Sequence, residues 1–172
     1  QGEKATINKI KFIGDKKFKD RKLRGIITSE EDKPWKFISR RVYLDIERVN
    51  LDKRLLKNFF LDKGYYQVDI TDAYSQILNQ KDFELVFNIN AGKKFYFGDF
   101  DINIPEDFDP KKFDNLKSFF KKIKDKKYSY KNIEKILDKI EKIALYQNYE
   151  FIDAKVIEKI NGDKINFTFE IE

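Results

Sequence analysis

Apolar and polar residues alternate most strictly over two stretches of the chain. In "FELVFNIN" (83–90) Phe83, Leu85, Phe87 and Ile89 share one face, and in "KINFTFEIE" (164–172) Ile165, Phe167, Phe169 and Ile171 do the same. A period of two built from aromatic and β-branched residues predicts half-buried strands. A second alternating segment precedes each: "YQVDITDAYS" (66–75), with Val68, Ile70 and Tyr74 in register, and "DAKVIEKI" (153–160), with Ala154, Val156 and Ile160. The later pair is joined through Asn161-Gly162, a dipeptide suited to the positive φ of a type I′ turn. Each pair therefore reads as a hairpin.

Helical spacing precedes both hairpins. Residues 51–63 place Leu51, Leu55 and Phe59 on one stripe, with Asp52, Leu56 and Phe60 beside it. Residues 130–147 follow Ser129 as N-cap and carry Ile133, Ile136, Leu137, Ile140, Ile143 and Ala144 at helical intervals. Gly64-Tyr65 closes the first helix and Asn148-Tyr149 the second; glycine and asparagine most readily adopt the left-handed conformation that ends a helix. Further upstream, "INKIKFIGD" (7–15) and "FGDFDINIP" (97–105) predict short strands in which Ile10 and Phe12 answer Phe100 and Ile102. A short amphipathic helix follows each, over 20–27 and over 109–123. The latter has Asp109 as N-cap, Pro110 in the first turn, and Phe113, Leu116, Phe120 and Ile123 on its apolar face.

Strand, helix, helix, strand, strand thus occurs twice, over 5–92 and over 93–172. The predicted fold class is α+β: two tandem βααββ modules, each a three-stranded mixed sheet covered on one face by two helices. In the corner "FFLDKGYY" (59–66), Phe59 and Phe60 finish the helix's core stripe, Gly64 reverses the chain, and Tyr65 or Tyr66 covers the start of the sheet.

Composition narrows the chemistry. The chain is 41% hydrophobic and 38% charged, enough for a core and too polar throughout for a membrane-spanning helix. It holds no cysteine, methionine or histidine, which removes disulfides, thiolate zinc sites, cysteine nucleophiles and histidine bases. No glycine-rich phosphate loop or nucleophile elbow occurs, so no enzyme and no cofactor is expected. The net charge of +6 rests on 30 lysines and only 6 arginines. Lysine is a solvated point charge, whereas arginine is the residue that reads phosphates and bases bidentately. "DFDIN" (99–103) matches the opening of a calcium loop but has Ile104 and Pro110 where glycine and glutamate belong, so a strand with solvent-facing acids explains it better. "KKIKDKK" (121–127) reads as a solvated turn at a helix end and "EED" (30–32) as a polar turn before Pro34. Lys, Tyr and Phe interleaved on strands leave a basic nucleic-acid-binding module as the rival class, although the alternation assigns most of those phenylalanines to the buried face.

The βααββ order, "IKFIGDKKF" at a module start, "FFLDKGYY" at the helix-to-strand corner and "FNINAGKKF" at the module end resemble the POTRA domains of the Omp85 superfamily. "KPWKFISRR" (33–41) and the helix after it look like the third module of an outer-membrane assembly array. "KKYSYKNIEKI" (126–136), together with the remaining residues of its module, looks like the fourth. Asn148 departs from the glycine usual in the family. The resemblance implies a piece of a longer array at the periplasmic face of the outer membrane, with neighbouring POTRA modules and a membrane barrel elsewhere in the protein. It implies unfolded outer-membrane β-barrel proteins and accessory lipoproteins of the assembly complex as partners, with no catalysis and no nucleic acid. A translocation member of the superfamily is the nearer alternative.

In the family the second strand of each module is the exposed edge. That puts the offered backbone at Val68, Asp69, Ile70, Thr71, Asp72, Ala73 and Tyr74, and at Lys155, Val156, Ile157, Glu158 and Lys159. An open edge can be completed by an extended chain, while Asp69, Asp72, Glu158 and Lys159 are equally suited to discourage such pairing. Trp35, the only tryptophan, is either a partner anchor or a lid over the core.

Overall fold

The computed structural model describes residues 6–31, 45–76, 82–147 and 152–172, so Trp35, Asn148 and Tyr149 lie outside the described residues. Contacts divide the chain into two compact units, Gln1–Phe60 with Gln67–Gly92, and Leu61–Tyr66 with Lys93–Glu172.

The first unit contains β1 (Thr6–Asp15), α1 (Asp20–Arg24), most of α2 (Ile46–Asp62), β2 (Asp69–Gln76) and β3 (Asp82–Asn90). Its three strands lie in the order β1-β3-β2, with β1 parallel and β2 antiparallel to the central β3. The strand of strictest alternation is thus the one with neighbours on both sides. Leu85, Phe87 and Ile89 are fully buried beneath the helices with Ile7, Ile10 and Phe12. Each such side chain contributes about 1.5–3 kcal/mol on leaving water.

Two helix expectations need correction. First, α1 stops after five residues, at Gly25, short of the anticipated 20–27. Second, α2 begins at Ile46, because Asp45 accepts hydrogen bonds from the N–H groups of Glu47 (3.0 Å) and Arg48 (3.3 Å) and caps an extra first turn. The buried stripe of α2 is Val49, Asp52, Leu56 and Phe60, while Leu51 is exposed. Asp52 belongs in that stripe because its carboxylate is fully used. It accepts from Thr28 N–H (2.6 Å), Thr28 Oγ1 (2.6 Å) and Ser29 N–H (3.0 Å), tying the segment after α1 to α2.

The second unit contains β4 (Tyr96–Asn103), a 3-10 turn over Pro110–Phe113, α3 (Asp114–Ile123), α4 (Tyr130–Tyr146), β5 (Ala154–Asn161) and β6 (Lys164–Ile171). Its sheet order, β4-β6-β5, repeats the parallel and antiparallel pairing of the first. The predicted cap at Asp109 is present, accepting from Lys111 N–H at 3.0 Å, although Pro110–Phe113 winds as a 3-10 turn before the α-helix. The hairpin turn differs from expectation. Asn161 pairs with Lys164, so the central residues are Gly162 and Asp163, and only Gly162 has positive φ (64°), the φ pattern of a type II′ turn.

The corner segment Leu61–Tyr66 belongs to the second unit. Gly64 (φ 98°) takes the left-handed conformation, and a Cβ there would stand 2.7 Å from Lys127 Cγ. Its carbonyl accepts from Phe95 N–H at 2.8 Å, and Phe95 C=O accepts from Tyr128 N–H at 2.9 Å. Tyr66 packs edge-on against Phe95 and Tyr128, with centroids 5.7 and 5.2 Å away, and its hydroxyl donates to Glu158. Ser129 makes no capping bond of its own at α4. It donates through Oγ to Asp62 Oδ1 (2.6 Å), and the same oxygen receives Lys131 N–H at 3.4 Å, so Asp62 serves as the acceptor at the start of α4. Burial pushes the Asp62 carboxyl up, but the Ser129 hydroxyl and Lys131 outweigh it and hold the group below its ordinary value.

Replacing Asp52 by alanine strands three donors and is expected to lower unfolding stability by roughly 2–3 kcal/mol in a urea titration. For Asp62→Ala the expected loss at neutral pH is about 1 kcal/mol. Because the folded-state pKa of Asp62 is depressed, its contribution is complete above the unfolded carboxylate range and is lost as pH falls through the folded value. The wild-type and variant melting curves should therefore converge in acid.

Candidate functional site: the sheet margins

A three-stranded sheet leaves one row of backbone groups unpaired on each outer strand, and the register shows which residues own them. On β1, Ile10 points its N–H and C=O away from β3. The N–H donates to Glu31 Oε1 at 3.1 Å, the C=O accepts from Arg24 Nη2 at 2.8 Å, and Arg24 and Glu31 form an ion pair with each other. Two residues on, Phe12 C=O accepts from Lys16 Nζ at 3.0 Å. This margin is closed by side chains. "EED" is therefore more than a polar turn, since Glu31 completes a strand edge.

With Ile10 and Phe12 facing outward, the parallel ladder turns Lys9, Lys11 and Ile13 toward β3. Glu84, Val86 and Asn88 of β3 then face β2 and pair with it. Thr71 and Ala73 bond the central strand, and Ile70, Asp72 and Tyr74 carry the outward N–H and C=O groups. Among the described residues no side chain from another element closes that row as Arg24, Glu31 and Lys16 close β1, and only the Asp72 carboxylate meets its own N–H. Val68 lies one residue before β2 with its side chain buried, and Asp69 opens the strand. By the same parity in the second unit, Lys155, Ile157 and Lys159 bond β6, whereas Val156 and Glu158 face outward.

The side chains of the outward β2 residues lie on the helix side of the sheet. Asp72 pairs with Lys53 Nζ at 2.7 Å and with the Tyr74 hydroxyl. Burial raises the Asp72 carboxyl, but Lys53 and Tyr74 prevail and leave it below its ordinary value. Burial and the bond to Asp72 push the Tyr74 hydroxyl up to about 12. Asp72, read as a possible guard against pairing, is thus held by α2. A groove of about 560 Å³ runs beside this margin, lined by Lys53, Arg54 and Lys57 on α2 and by Val68, Asp69 and Ile70. On β5, burial raises the Glu158 carboxyl above its ordinary value, and the Tyr66 hydroxyl meets it.

The other sequence candidates resolve differently. "KKIKDKK" is a bracket on β4: Phe97 N–H donates to Lys126 C=O (2.8 Å), Asp125 N–H donates to Phe97 C=O (3.0 Å), and Tyr96 bridges Lys127. Asp125, at φ 63°, pairs with Lys164 at 2.6 Å. Phe87, Phe167 and Phe169 are buried, so these three strand phenylalanines are not available for stacking bases. Among the described residues no helix is long and apolar enough to cross a membrane. Asp52 and Glu31 were missed as structural anchors because their partners lie 20 or more residues away in sequence, at Thr28 and Ser29 for one and Ile10 for the other.

Comparison with known proteins agrees with this architecture. The family model described as POTRA, surface antigen variable number repeat, matches residues 5–92, just over half of the chain. The outer membrane protein assembly factor BamA of Buchnera aphidicola subsp. Acyrthosiphon pisum is 28% identical over 105 residues, covering 60% of this chain and 17% of that protein. BamA of Neorickettsia risticii is also 28% identical, over 98 residues, covering 57% and 13%. The chain therefore spans less than a fifth of the length of these relatives. The crystal structure of Haemophilus influenzae BamA POTRA3-5 superposes with a TM-score of 0.71 at 10% identity, over 98% of this chain and 61% of that one, a likeness of fold.

The closed and open margins differ measurably. In Glu31→Ala the Ile10 amide loses its acceptor, and its hydrogen exchange should accelerate at least about tenfold while that of Thr71, bonded to β3, stays unchanged.

Proposed function

This chain belongs to the POTRA family, and we propose that it is a tandem-module part of an outer-membrane protein assembly factor, which receives unfolded β-barrel chains along its open strand margins. The observation that carries this reading is the contrast within one sheet. The β1 margin is stoppered by Arg24, Glu31 and Lys16, while β2 offers Ile70, Asp72 and Tyr74 beside a groove. The names of the relatives supply the cellular setting: both are outer membrane protein assembly factors. In that setting the modules stand at the periplasmic face of the outer membrane, next to further modules and a barrel, and bind accessory lipoproteins without catalysing a reaction.

Backbone pairing suits such a task. A barrel substrate is itself a series of strands with varied side chains, and N–H and C=O groups accept any of them, whereas a shaped pocket accepts few. Four or five hydrogen bonds contributing ~0.5–1.5 kcal/mol each, set against the losses of association and ordering, lead to affinities in the ~millimolar to micromolar range. Binding of that strength releases its cargo.

Ile70→Pro tests the reading. Proline removes an outward N–H and leaves the ladder to β3 intact, so the fold should survive with circular dichroism unchanged. Titrated with a peptide from a barrel strand, the variant should bind at least about tenfold more weakly than wild type. A folded variant with wild-type affinity removes pairing at β2 from consideration.

A further inference from the structure

The two units share a topology but differ at the margin formed by their first strands. In the register of β4 with β6, Phe100 pairs opposite Phe167 and Ile102 opposite Phe169, just as Ile10 and Phe12 of β1 pair opposite Leu85 and Phe87. Asp99 N–H turns inward to Asn166 Oδ1 at 2.7 Å, which by alternation sends the N–H and C=O of Phe100 and Ile102 outward. The turn at residues 124–127 covers β4 only as far as Phe97. Among the described residues nothing stands where Arg24 and Glu31 close β1, and no hydrogen bond reaches Phe100 or Ile102 from the outer side.

Beside this open row lies a groove of about 570 Å³ between β4 and α3. Its floor is apolar: Phe100 and Phe120 stack at 4.8 Å and 3°, next to half-buried Ile102. Its helix wall is basic, with Lys117 and Lys121 on α3 and Lys124 just after its end. Lys124 is engaged by Asp99 at 2.6 Å. Lys117 and Lys121 are exposed, and among the described residues neither makes an ion pair. Asp101 marks the opposite wall.

We propose that the outer margin of β4 is a second docking edge, which takes an extended polypeptide with acidic side chains at alternate positions. The repeat distances agree: residues four apart on a helix are about 6 Å apart along its axis, and alternate residues of a strand are about 6.6 Å apart. An added strand with its backbone on Phe100 and Ile102 would present every second side chain to Lys117 and Lys121 and the intervening ones to the side of Asp101. A phosphate polymer has no N–H and C=O row to pair with and would meet Asp99 and Asp101, so the site selects a polypeptide. This edge is separate from β2 and β5 and stands or falls without them.

The test uses the whole chain and amide chemical shifts. The probes are a short capped peptide alternating glutamate with threonine, its lysine–threonine counterpart, and a glutamate peptide with N-methylated amides at alternate positions. The glutamate peptide should shift the amides of Phe100 and Ile102. The double variant Lys117→Glu, Lys121→Glu, both at exposed positions, should bind it about tenfold more weakly and reverse the preference toward the lysine peptide. The milder Lys117→Gln, Lys121→Gln pair should weaken binding without the reversal. Unchanged affinity in these variants, equal affinity for the N-methylated peptide, or shifts at Ile70 and Val156 in place of Phe100 and Ile102 would each overturn the proposal.

Discussion

The constraint on which the rest depends is that a strand's backbone has two sides and a sheet of three strands satisfies both only for the strand in the middle. In each unit the strand of strictest alternation, β3 or β6, occupies that position. It could hardly be otherwise. The central strand buries one face under the helices and both of its hydrogen-bonding rows against neighbours, so it gains most from Phe and Ile and loses least from having no polar groups to offer. The outer strands are left with one free row each, and what the chain does with those rows distinguishes one margin from another.

The periodic part of this architecture was legible in the sequence because it is local. Alternation over 83–90 and 164–172 marks strands at any register, and the spacing of Phe113, Leu116, Phe120 and Ile123 marks a helix face. The repeat of five elements then dictated the class. What the sequence did not disclose was carried by single polar residues reaching across the fold. By helical spacing Asp52 falls beside the apolar stripe with Leu56 and Phe60 and receives no role, and it is the buried anchor of Thr28 and Ser29. Ser129 had the composition of a cap, yet the acceptor at α4 is Asp62. Both roles escape the sequence for one reason: side-chain hydrogen bonds between residues far apart in sequence leave no period. The candidate margins were legible as strands, but the parity that turns Ile70 outward and Thr71 inward requires the register.

The corner "FFLDKGYY" shows how one local sequence serves two cores. Phe59 and Phe60 pack with Phe18 at 4.9 and 5.4 Å in the first unit. From Leu61 onward the side chains belong to the second, where Leu61 and Tyr66 join its hydrophobic cluster and Asp62 meets Ser129. The glycine between them is required by its positive φ and by the approach of Lys127 and Phe95. Packing thus parts the chain at residues 92 and 93, where the sequence repeat does, and in addition assigns Leu61–Tyr66 to the second unit.

Lysine abundance, which by itself speaks of composition, also acquires positions. Lys16 stops one margin of the first sheet, Lys53 holds Asp72 beside the other, and Lys124 ties the turn after α3 to Asp99. Two sheets of identical topology thus differ in which outward groups are already taken. Shared topology makes that difference informative, because the fold alone requires neither closure nor opening of a given margin. β1 is closed by three side chains drawn from α1 and the segments around it, whereas among the described residues no other element closes β2 in this way. Among the described residues no such closure is built over Phe100 and Ile102, and Lys117 and Lys121 of the neighbouring helix give that margin a basic wall that the first sheet's β1 margin lacks.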